Sequence, residues 1–294
     1  MNRVIEFEPR ERVLEKAKKY VESVELFFEE RDQAFPVLLR ALKHADRDLK
    51  WEIMCVLGTF AKEEVAWPLF QIMIDTSEKD EVRHDAAIQL SVIGPFLKKP
   101  QPLADRLLEE IEISDPKRRL HATFALGWKG NFPAAISLIE RLYDSDLRVQ
   151  QAAVTALCNL RDDRILGLLL DRLAHGPVEQ KRTILFNLWR FYSKKKEVTK
   201  VYLKYLNHKD ADLRFDALVC LRPMGQVPGY LEVYRKCLKD SDGRIRELAL
   251  KRLSEEGKQK DLESLKGEIG AFLNDPDMSI KEAALKIIRR RKWL

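Results

Sequence analysis

The chain has 294 residues, of which 45% are hydrophobic and 34% charged, so it can bury a globular core and is not a disordered protein. Glycine and proline number only 12 each, which disfavours both a loop-rich β-sandwich and a flexible linker protein. The net charge is +6 at pH 7, but residues 281–294 alone carry six basic side chains and one acidic side chain. The rest of the chain is therefore almost neutral, and the basicity is predicted to be a C-terminal patch.

Neither the start of the sequence nor its apolar runs suggest a membrane or secreted protein. The start, MNRVIEFEPRERVLEK, lacks the apolar segment of a secretory signal. The longest apolar runs, such as ILGLLL at 165–170, are far shorter than the roughly 18–20 residues that a bilayer requires. The four cysteines, Cys55, Cys158, Cys220 and Cys237, lack metal-binding spacing and are interpreted as reduced structural thiols. We therefore expect a cytoplasmic protein.

In chain order, the first predicted element is a charged helix near residues 9–30. It is followed by amphipathic segments, each of which precedes a second helical segment. Examples are AFPVLLRALK at 34–43, VAWPLFQIMID at 65–75, FPAAISLIERLYD at 132–144, RILGLLLDRLA at 164–174 and GYLEVYRKCLK at 229–239. A pair of such helices cannot hide its apolar faces alone and has to stack on its neighbours.

The second helices repeat one pattern, seen most clearly in DSDLRVQQAAVTAL (144–157) and DSDGRIRELALKRL (240–253), which share six of fourteen residues. The first core position of each copy recurs every 31 to 36 residues, a period typical of stacked helical repeats. These starts are Leu49, Val82, Arg118, Val149, Gln180, Leu213, Ile245 and Ile280.

Two columns of the repeat predict a buried helical stripe. Four residues after the start, six of the eight copies have alanine, which indicates that another helix approaches closely. Eight residues after the start, every copy has leucine or isoleucine. Positions 0, 4 and 8 lie on one face of a helix, so the pattern predicts helices and not strands.

Charged residues flank the stripe at fixed positions. Three residues before the start stands an aspartate, predicted to be an N-cap, in six copies: Asp46, Asp115, Asp146, Asp210, Asp242 and Asp277. One residue after the start stands a lysine or arginine in seven copies, with Gln150 as the exception. We expect stacking to bring these cations beside the neighbouring aspartates as a ladder.

The pattern D-x-x-[VIL]-R-x-x-A-x-x-x-L after an apolar helix resembles the HEAT-repeat family, in particular the short bacterial and archaeal type of the phycobilisome lyase-like proteins. The resemblance implies an all-α fold, a right-handed α-α superhelix of about eight helical hairpins. Residues 1–33 would form an N-terminal capping helix, and 34–294 a solenoid continuous with it. Arg118 and Gln180 are polar where the family has an aliphatic residue, which predicts irregular packing in those two copies.

The enzymes that share this repeat leave signatures that the sequence lacks. None of the five histidines precedes a glutamate, as the iron ligands of deoxyhypusine hydroxylase do. No adjacent tryptophan pair followed by aspartate resembles the alkylpurine glycosylases, and nothing marks the tetrapyrrole pocket of a bilin lyase. No phosphate-binding loop or hydrolase motif is present. We therefore expect a non-catalytic protein with no cofactor and no metal site.

The family resemblance implies that the second helices line a concave groove. Helical geometry turns the residues 2, 3, 6 and 10 positions after each start toward that groove. Packing of these residues against neighbouring helices is one interpretation; a partner-binding surface is the other. In the second interpretation the predicted contact residues are His84, His121, Phe124, Trp128, Arg182, Phe186 and Arg190.

The basic C-terminal patch, Arg289, Arg290, Arg291 and Lys292, also has two interpretations. It is the solvated end of a last helix, or it contacts phosphate groups or an acidic partner, together with Lys194–Lys196 and Trp293. The favoured function is a scaffold or adaptor that binds a protein or peptide in the groove. The alternative is a nucleic-acid-binding protein of glycosylase-like shape that uses the groove and the basic C-terminus.

Overall fold

The computed structural model describes residues 9–59, 63–225, 227 and 229–293, and each regular element in these ranges is an α-helix or a 3-10 turn. The chain divides into two compact units, Met1–Asp162 and Asp163–Leu294. In the ranges that are described, no helix has the length and apolar character needed to cross a membrane.

Each unit is built from consecutive helices. Those of the first unit are α1 (Arg10–Glu22), α2 (Val24–Glu29), α3 (Arg31–Ala41), α4 (Arg47–Gly58), α5 (Glu63–Ile74), α6 (Asp80–Ile93), α7 (Gln101–Glu110), α8 (Pro116–Ala125), α9 (Ala135–Arg141) and α10 (Leu147–Asn159). Those of the second unit are α11 (Arg164–His175), α12 (Val178–Asn187), α13 (Lys195–Tyr205), α14 (Ala211–Leu221), α15 (Tyr230–Cys237), α16 (Gly243–Glu256), α17 (Gln259–Glu263), α18 (Lys266–Ala271) and α19 (Met278–Arg291).

The single N-terminal helix predicted near residues 9–30 is in fact two helices. Ser23 has an extended backbone conformation, and its hydroxyl accepts a hydrogen bond from the Leu26 N–H, so Ser23 ends α1 and caps α2. α1 buries Val13, Ala17 and Tyr20 and packs against α3. Two helices, and not the one that was predicted, therefore pack against the first hairpin.

The eight predicted hairpins are all present. Their second helices, α4, α6, α8 and α10 in the first unit and α12, α14, α16 and α19 in the second, pack on one another in sequence within each unit. The continuous domain predicted over 34–294 stays a prediction.

The predicted stripe forms the core of both units. All eight residues in the fourth-residue column are 0% exposed: Ile53, Ala86, Ala122, Ala153, Ile184, Ala217, Ala249 and Ala284. Gly127, just after the end of α8, also lies close to α10, because a Cβ atom there would be 2.5 Å from the Ala156 Cα. Small side chains in this column therefore set how closely successive second helices approach.

The two polar start residues do not disrupt the stacking, because each has a polar partner eight residues earlier. Arg118 donates two hydrogen bonds of 2.7 and 2.8 Å to the buried Glu110 carboxylate of α7. Gln180 is buried and accepts a hydrogen bond from Arg172 of α11. In both hairpins the polar contact joins the first helix to the second and replaces the aliphatic one.

All six predicted N-caps are confirmed. Each aspartate side chain accepts a hydrogen bond from a backbone N–H in the first turn of its helix. These carboxylates satisfy N–H groups that have no partner within the helix and lie at the positive end of its dipole.

The predicted ladder exists, but the cations bind a different acid. Arg119 and Arg214 each make two hydrogen bonds, of 2.7–2.9 Å, to Asp144 and Asp240. Both acids lie two residues before the next N-cap, and each also accepts from the backbone N–H of that capping aspartate. Arg246 and Asp275 repeat the arrangement at 3.4 Å. In the D-x-D sequence, the second aspartate therefore caps a helix while the first binds the preceding hairpin.

Enlarging one residue of the alanine column is expected to destabilise the first unit. In Ala153→Leu, three extra carbon atoms would have to fit between packed helices, so we expect a loss of about 1–3 kcal/mol in the free energy of unfolding. Urea unfolding followed by circular dichroism measures the loss. Thr155→Leu, two residues away and half-buried, is the control and should change stability less. If Ala153→Leu and Thr155→Leu lowered stability equally, the close approach of successive second helices at Ala153 would be contradicted.

The ladder is expected to make stability depend on pH. Burial alone would raise the pKa of Asp144, but the hydrogen bonds from Arg119 and the Asp146 N–H outweigh it and leave that pKa below its usual value. The resulting stabilisation is complete above the unfolded pKa of about 3.9 and is lost as the pH falls through the lower folded pKa.

Removing the guanidinium leaves a buried carboxylate without its partner. Arg119→Gln should therefore lower the free energy of unfolding by about 3 kcal/mol at pH 7, and by progressively less as the pH falls through the lowered folded pKa of Asp144. Urea titrations across this range measure the difference, with Lys251→Gln in an exposed ion pair as the control. A loss that does not vary with pH would contradict the account.

Candidate binding surfaces

The seven residues predicted to contact a partner are divided between the two units. His84, His121, Phe124 and Trp128 lie in the first unit, and Arg182, Phe186 and Arg190 lie in the second.

Two of the four residues in the first unit are buried, and the prediction that they face a partner is wrong for both. Trp128 is 4% exposed and lies against Gly94, where a Cβ atom would collide with the indole ring. The helical wheel fails here because α8 ends at Ala125, so Trp128 follows a turn and points back into the core.

His121 is 1% exposed and lies between α6 and α8. Its Nε2 is 3.8 Å from an Asp80 oxygen, and its ring centre is 5.8 Å from that of His84. Burial, reinforced by the charge of Arg83, lowers the pKa of His121 to about 4 and outweighs the opposing effect of Asp80. The imidazole is therefore neutral at pH 7. Among the described residues, no three His, Cys, Asp or Glu side chains are placed to hold a metal ion.

Of the other two residues, Phe124 belongs to a half-buried apolar stripe on the second helices, and the half-buried His84 lies beside it. Cys55, Ile88 and Phe124 occupy equivalent positions on α4, α6 and α8. The Phe124 ring lies 5.2 Å from the His84 ring, and the Gln89 amide contacts the Cys55 sulfur at 3.7 Å. Cys55 and Phe124 thus each contact a side chain of α6 and are still partly exposed to solvent.

Exposed apolar residues and acids extend the stripe. Trp51 on α4 is 50% exposed, and Val92 on α6 is similarly exposed. Glu52 is exposed beside Trp51, and Asp85, whose pKa is raised by burial, is half-exposed on α6. We call the surface formed by Trp51, Cys55, Ile88, Val92 and Phe124 the first-unit face. It combines an apolar centre with an acidic border.

In the second unit, Arg182 is held by an internal ion pair. Its guanidinium donates hydrogen bonds of 2.6 and 3.2 Å to the buried carboxylate of Asp216 on α14, and it lies 3.8 Å from Asp212. The charge of Arg182 is therefore largely balanced within the second unit, and its main role is to join α12 to α14.

Phe186 and Arg190 lie at the start of a surface that the sequence pattern did not single out. Phe186, Trp189 and Tyr192 are 41–65% exposed. The Arg190 guanidinium lies 4.9 Å from the Trp189 ring centre, and the Lys195 ammonium lies 5.3 Å from that of Tyr192. We call Phe186, Trp189, Arg190, Tyr192 and Lys194–Lys196 the aromatic–basic surface. The signal that could have found it is three aromatic residues spaced by three before a lysine run.

Two of the four cations of the C-terminal basic patch make hydrogen bonds within the chain. Arg290 donates to the Ser254 carbonyl at 2.9 Å, and Arg291 donates to the Gly257 carbonyl at 3.1 Å. These two cations hold α19 against the end of α16. Arg289, Arg290 and Lys292 are all exposed, and Trp293 donates to Glu263 at 2.9 Å.

The boundary between the units shows that the near-neutral charge of the body hides an asymmetry. The first unit has 24 Lys and Arg against 28 Asp and Glu, a net charge of −4. The second has 29 against 19, a net charge of +10, of which the C-terminal segment 281–294 supplies only half. The basicity is therefore a property of the whole second unit and not only of the C-terminal patch.

No family model matches the sequence, and no curated protein matches it. Several solved structures resemble the fold. A chain of the AP-3 complex in an intermediate open conformation has a TM-score of 0.57 and 15% identity, covering 95% of this chain and 54% of that one.

Two further solved structures are less similar. The CpcE–CpcF complex of phycocyanin lyase from Nostoc sp. PCC7120 has a TM-score of 0.41 and 19% identity, with 88% and 94% coverage. Kap95p, solved with RanGDP, has a TM-score of 0.47 and 16% identity, and the match covers 89% of this chain and 40% of that one. Of the three, only the AP-3 chain has a TM-score above 0.5, and its likeness supports the predicted all-α fold.

Because Trp128 is a core residue, its removal is expected to act on stability. Trp128→Ala would leave a large cavity beside Gly94, and we expect a loss of about 3–5 kcal/mol in the free energy of unfolding. Chemical denaturation measures it. Trp51→Ala, at an exposed position, should cost less than about 1 kcal/mol. If the Trp128 variant were as stable as the Trp51 variant, the burial of Trp128 in the core would be contradicted.

Proposed function

We propose that the chain is a non-catalytic scaffold or adaptor that binds a protein or peptide through the first-unit face. The observation that carries the proposal is the half-buried apolar stripe of Cys55, Ile88 and Phe124 across three successive second helices. Such a stripe, extended by the exposed Trp51 and Val92, has the composition of an interface centre.

The border of the stripe indicates the chemistry of the partner. Glu52 and Asp85 flank it, and the first unit carries a net charge of −4. A segment with apolar anchors and lysine or arginine at its edges complements this surface. An amphipathic helix laid along the second helices satisfies both conditions, because its apolar residues recur on one face. We also propose that the partner binds in the predicted groove and that the protein is cytoplasmic.

Membership of the HEAT family, with repeats of the short bacterial and archaeal type, is also part of the proposal. The repeated N-caps, the buried columns and the D-x-D ladder support it. The likeness to the AP-3 chain concerns the fold and does not identify a partner.

The alternative of nucleic-acid binding by the groove and the basic C-terminus has less support. The first-unit face is bordered by acids, which would repel phosphates. Arg290 and Arg291 of the C-terminal patch donate hydrogen bonds to backbone carbonyls of the chain itself.

The test compares exposed residues on the two sides of the first unit. Trp51→Ala combined with Val92→Asp changes the first-unit face, and Trp67→Ala combined with Ile136→Asp makes the same changes on the first helices α5 and α9. Partners captured from native lysate by the immobilised full-length chain are quantified for each variant, and their affinity is then measured by titration calorimetry.

We expect at least one captured protein to bind the first-unit variant tenfold more weakly while retaining its affinity for the matched control. Both variants should unfold at nearly the same denaturant concentration, because the substituted positions are exposed. Equal affinity of every captured protein for the wild type and the first-unit variant would overturn the proposal.

A further inference from the structure

We propose that the aromatic–basic surface of the second unit binds single-stranded nucleic acid. This site is separate from the first-unit face and does not depend on the function proposed for that face.

The backbone of this segment separates two rows of side chains. Leu185, Leu188 and Phe191 are buried in the core, while the residue after each of them carries an exposed aromatic ring. The segment runs from the end of α12 through 3-10 turns at Leu188–Arg190 and Tyr192–Lys194. In a 3-10 turn, side chains three residues apart eclipse one another, and in an α-helix they share a face. The core beneath is already filled by the buried row. The exposed rings of Phe186, Trp189 and Tyr192 therefore form a second row that faces solvent.

Cations accompany the rings. Lys194, Lys195 and Lys196 form no ion pair with any part of the chain that the structure describes. Segment 190–200 has five basic residues and a single acid, Glu197. A second acid, Asp163, is close and accepts a hydrogen bond of 2.7 Å from the Ser193 hydroxyl. The surface keeps a clear excess of positive charge, within a unit whose net charge is +10.

The combination selects the class of ligand. Lysines alone would suit any polyanion, including an acidic peptide, but such a peptide leaves the three rings without a stacking partner. A duplex offers phosphates but hides the faces of its bases. A single strand presents both, so that bases stack on rings while phosphates lie beside cations. The positive field of the second unit would also raise the rate of encounter with such a strand.

The experiment uses the full-length chain and a fluorescently labelled twelve-nucleotide oligothymidine or oligouridine. Binding is followed by anisotropy between 50 and 200 mM salt. The aromatic variant is Trp189→Ala with Tyr192→Ala, and the cation variant is Lys194→Gln with Lys196→Gln. Trp51→Ala with Val92→Asp is the control, and it separates this site from the first-unit face. Equal unfolding midpoints show that each variant is folded.

We expect binding by the wild type and by the control, with at least a tenfold loss in the aromatic variant. The cation variant should weaken binding and lower the slope of log K against log salt concentration by about 1.4, since each single-strand phosphate contact contributes about 0.7. Competition by polyglutamate or by duplex DNA should be at least tenfold weaker than by unlabelled single strand.

Three outcomes would overturn the proposal. They are absence of binding by the wild type at 50 mM salt, an aromatic variant that binds as tightly as the wild type, and polyglutamate or duplex that competes as well as the single strand. The last two would identify a general polyanion or duplex surface instead.

Discussion

The close approach of successive second helices is the constraint on which the rest of each unit depends. It is set by the fourth-residue column, where no side chain is exposed and six of eight are alanine. Once two helices approach this closely, their rotation about their axes is fixed, because larger residues on either side of the column have to interdigitate. The position of every half-buried residue on the second helices, including Ile88 and Phe124, follows from that rotation.

Polar interactions then hold the ends of the helices in the same register. The D-x-D sequence uses one aspartate to cap its own helix and the other to bind the arginine of the preceding hairpin. Three hairpins therefore add a charged contact at the helix end to the apolar contact along the helix. Where the acid is missing, the cation finds another acceptor, as Arg83 does at the Met73 carbonyl. The same residues recur at fixed positions of the sequence because each makes the same contact in successive hairpins.

On this common frame the two units carry surfaces of opposite charge. The first combines a half-buried apolar stripe with acids, and the second combines exposed rings with lysines. Neither surface contributes to the cores, which are filled by the repeated columns. Residues at these outer positions can therefore vary while the columns preserve the fold.

The sequence predicted the hairpins, the buried columns and the six N-caps, because each depends on contacts at short, fixed spacing. It did not predict which acid the ladder uses, since that depends on how one hairpin's Arg119 projects toward the Asp144 of the next. The burial of Trp128 depends on where α8 ends, which a helical wheel does not show.

The opposite charges of the units were hidden for a related reason. No linker-like stretch marks their boundary at Asp162, so the sequence was counted as one body and the two charges cancelled in its total. The aromatic–basic surface was missed because its rings follow a spacing of three through two 3-10 turns, outside the helical repeat.

A second helix is expected to be stable only within its row of stacked second helices, and native-state hydrogen exchange in low denaturant tests this most directly. The buried amides of α8 and α10 should exchange through one shared opening, with equal free energies and equal dependence on denaturant, because neither helix can expose the face that the other covers. Separate openings of α8 and α10, with clearly different free energies, would contradict the claim.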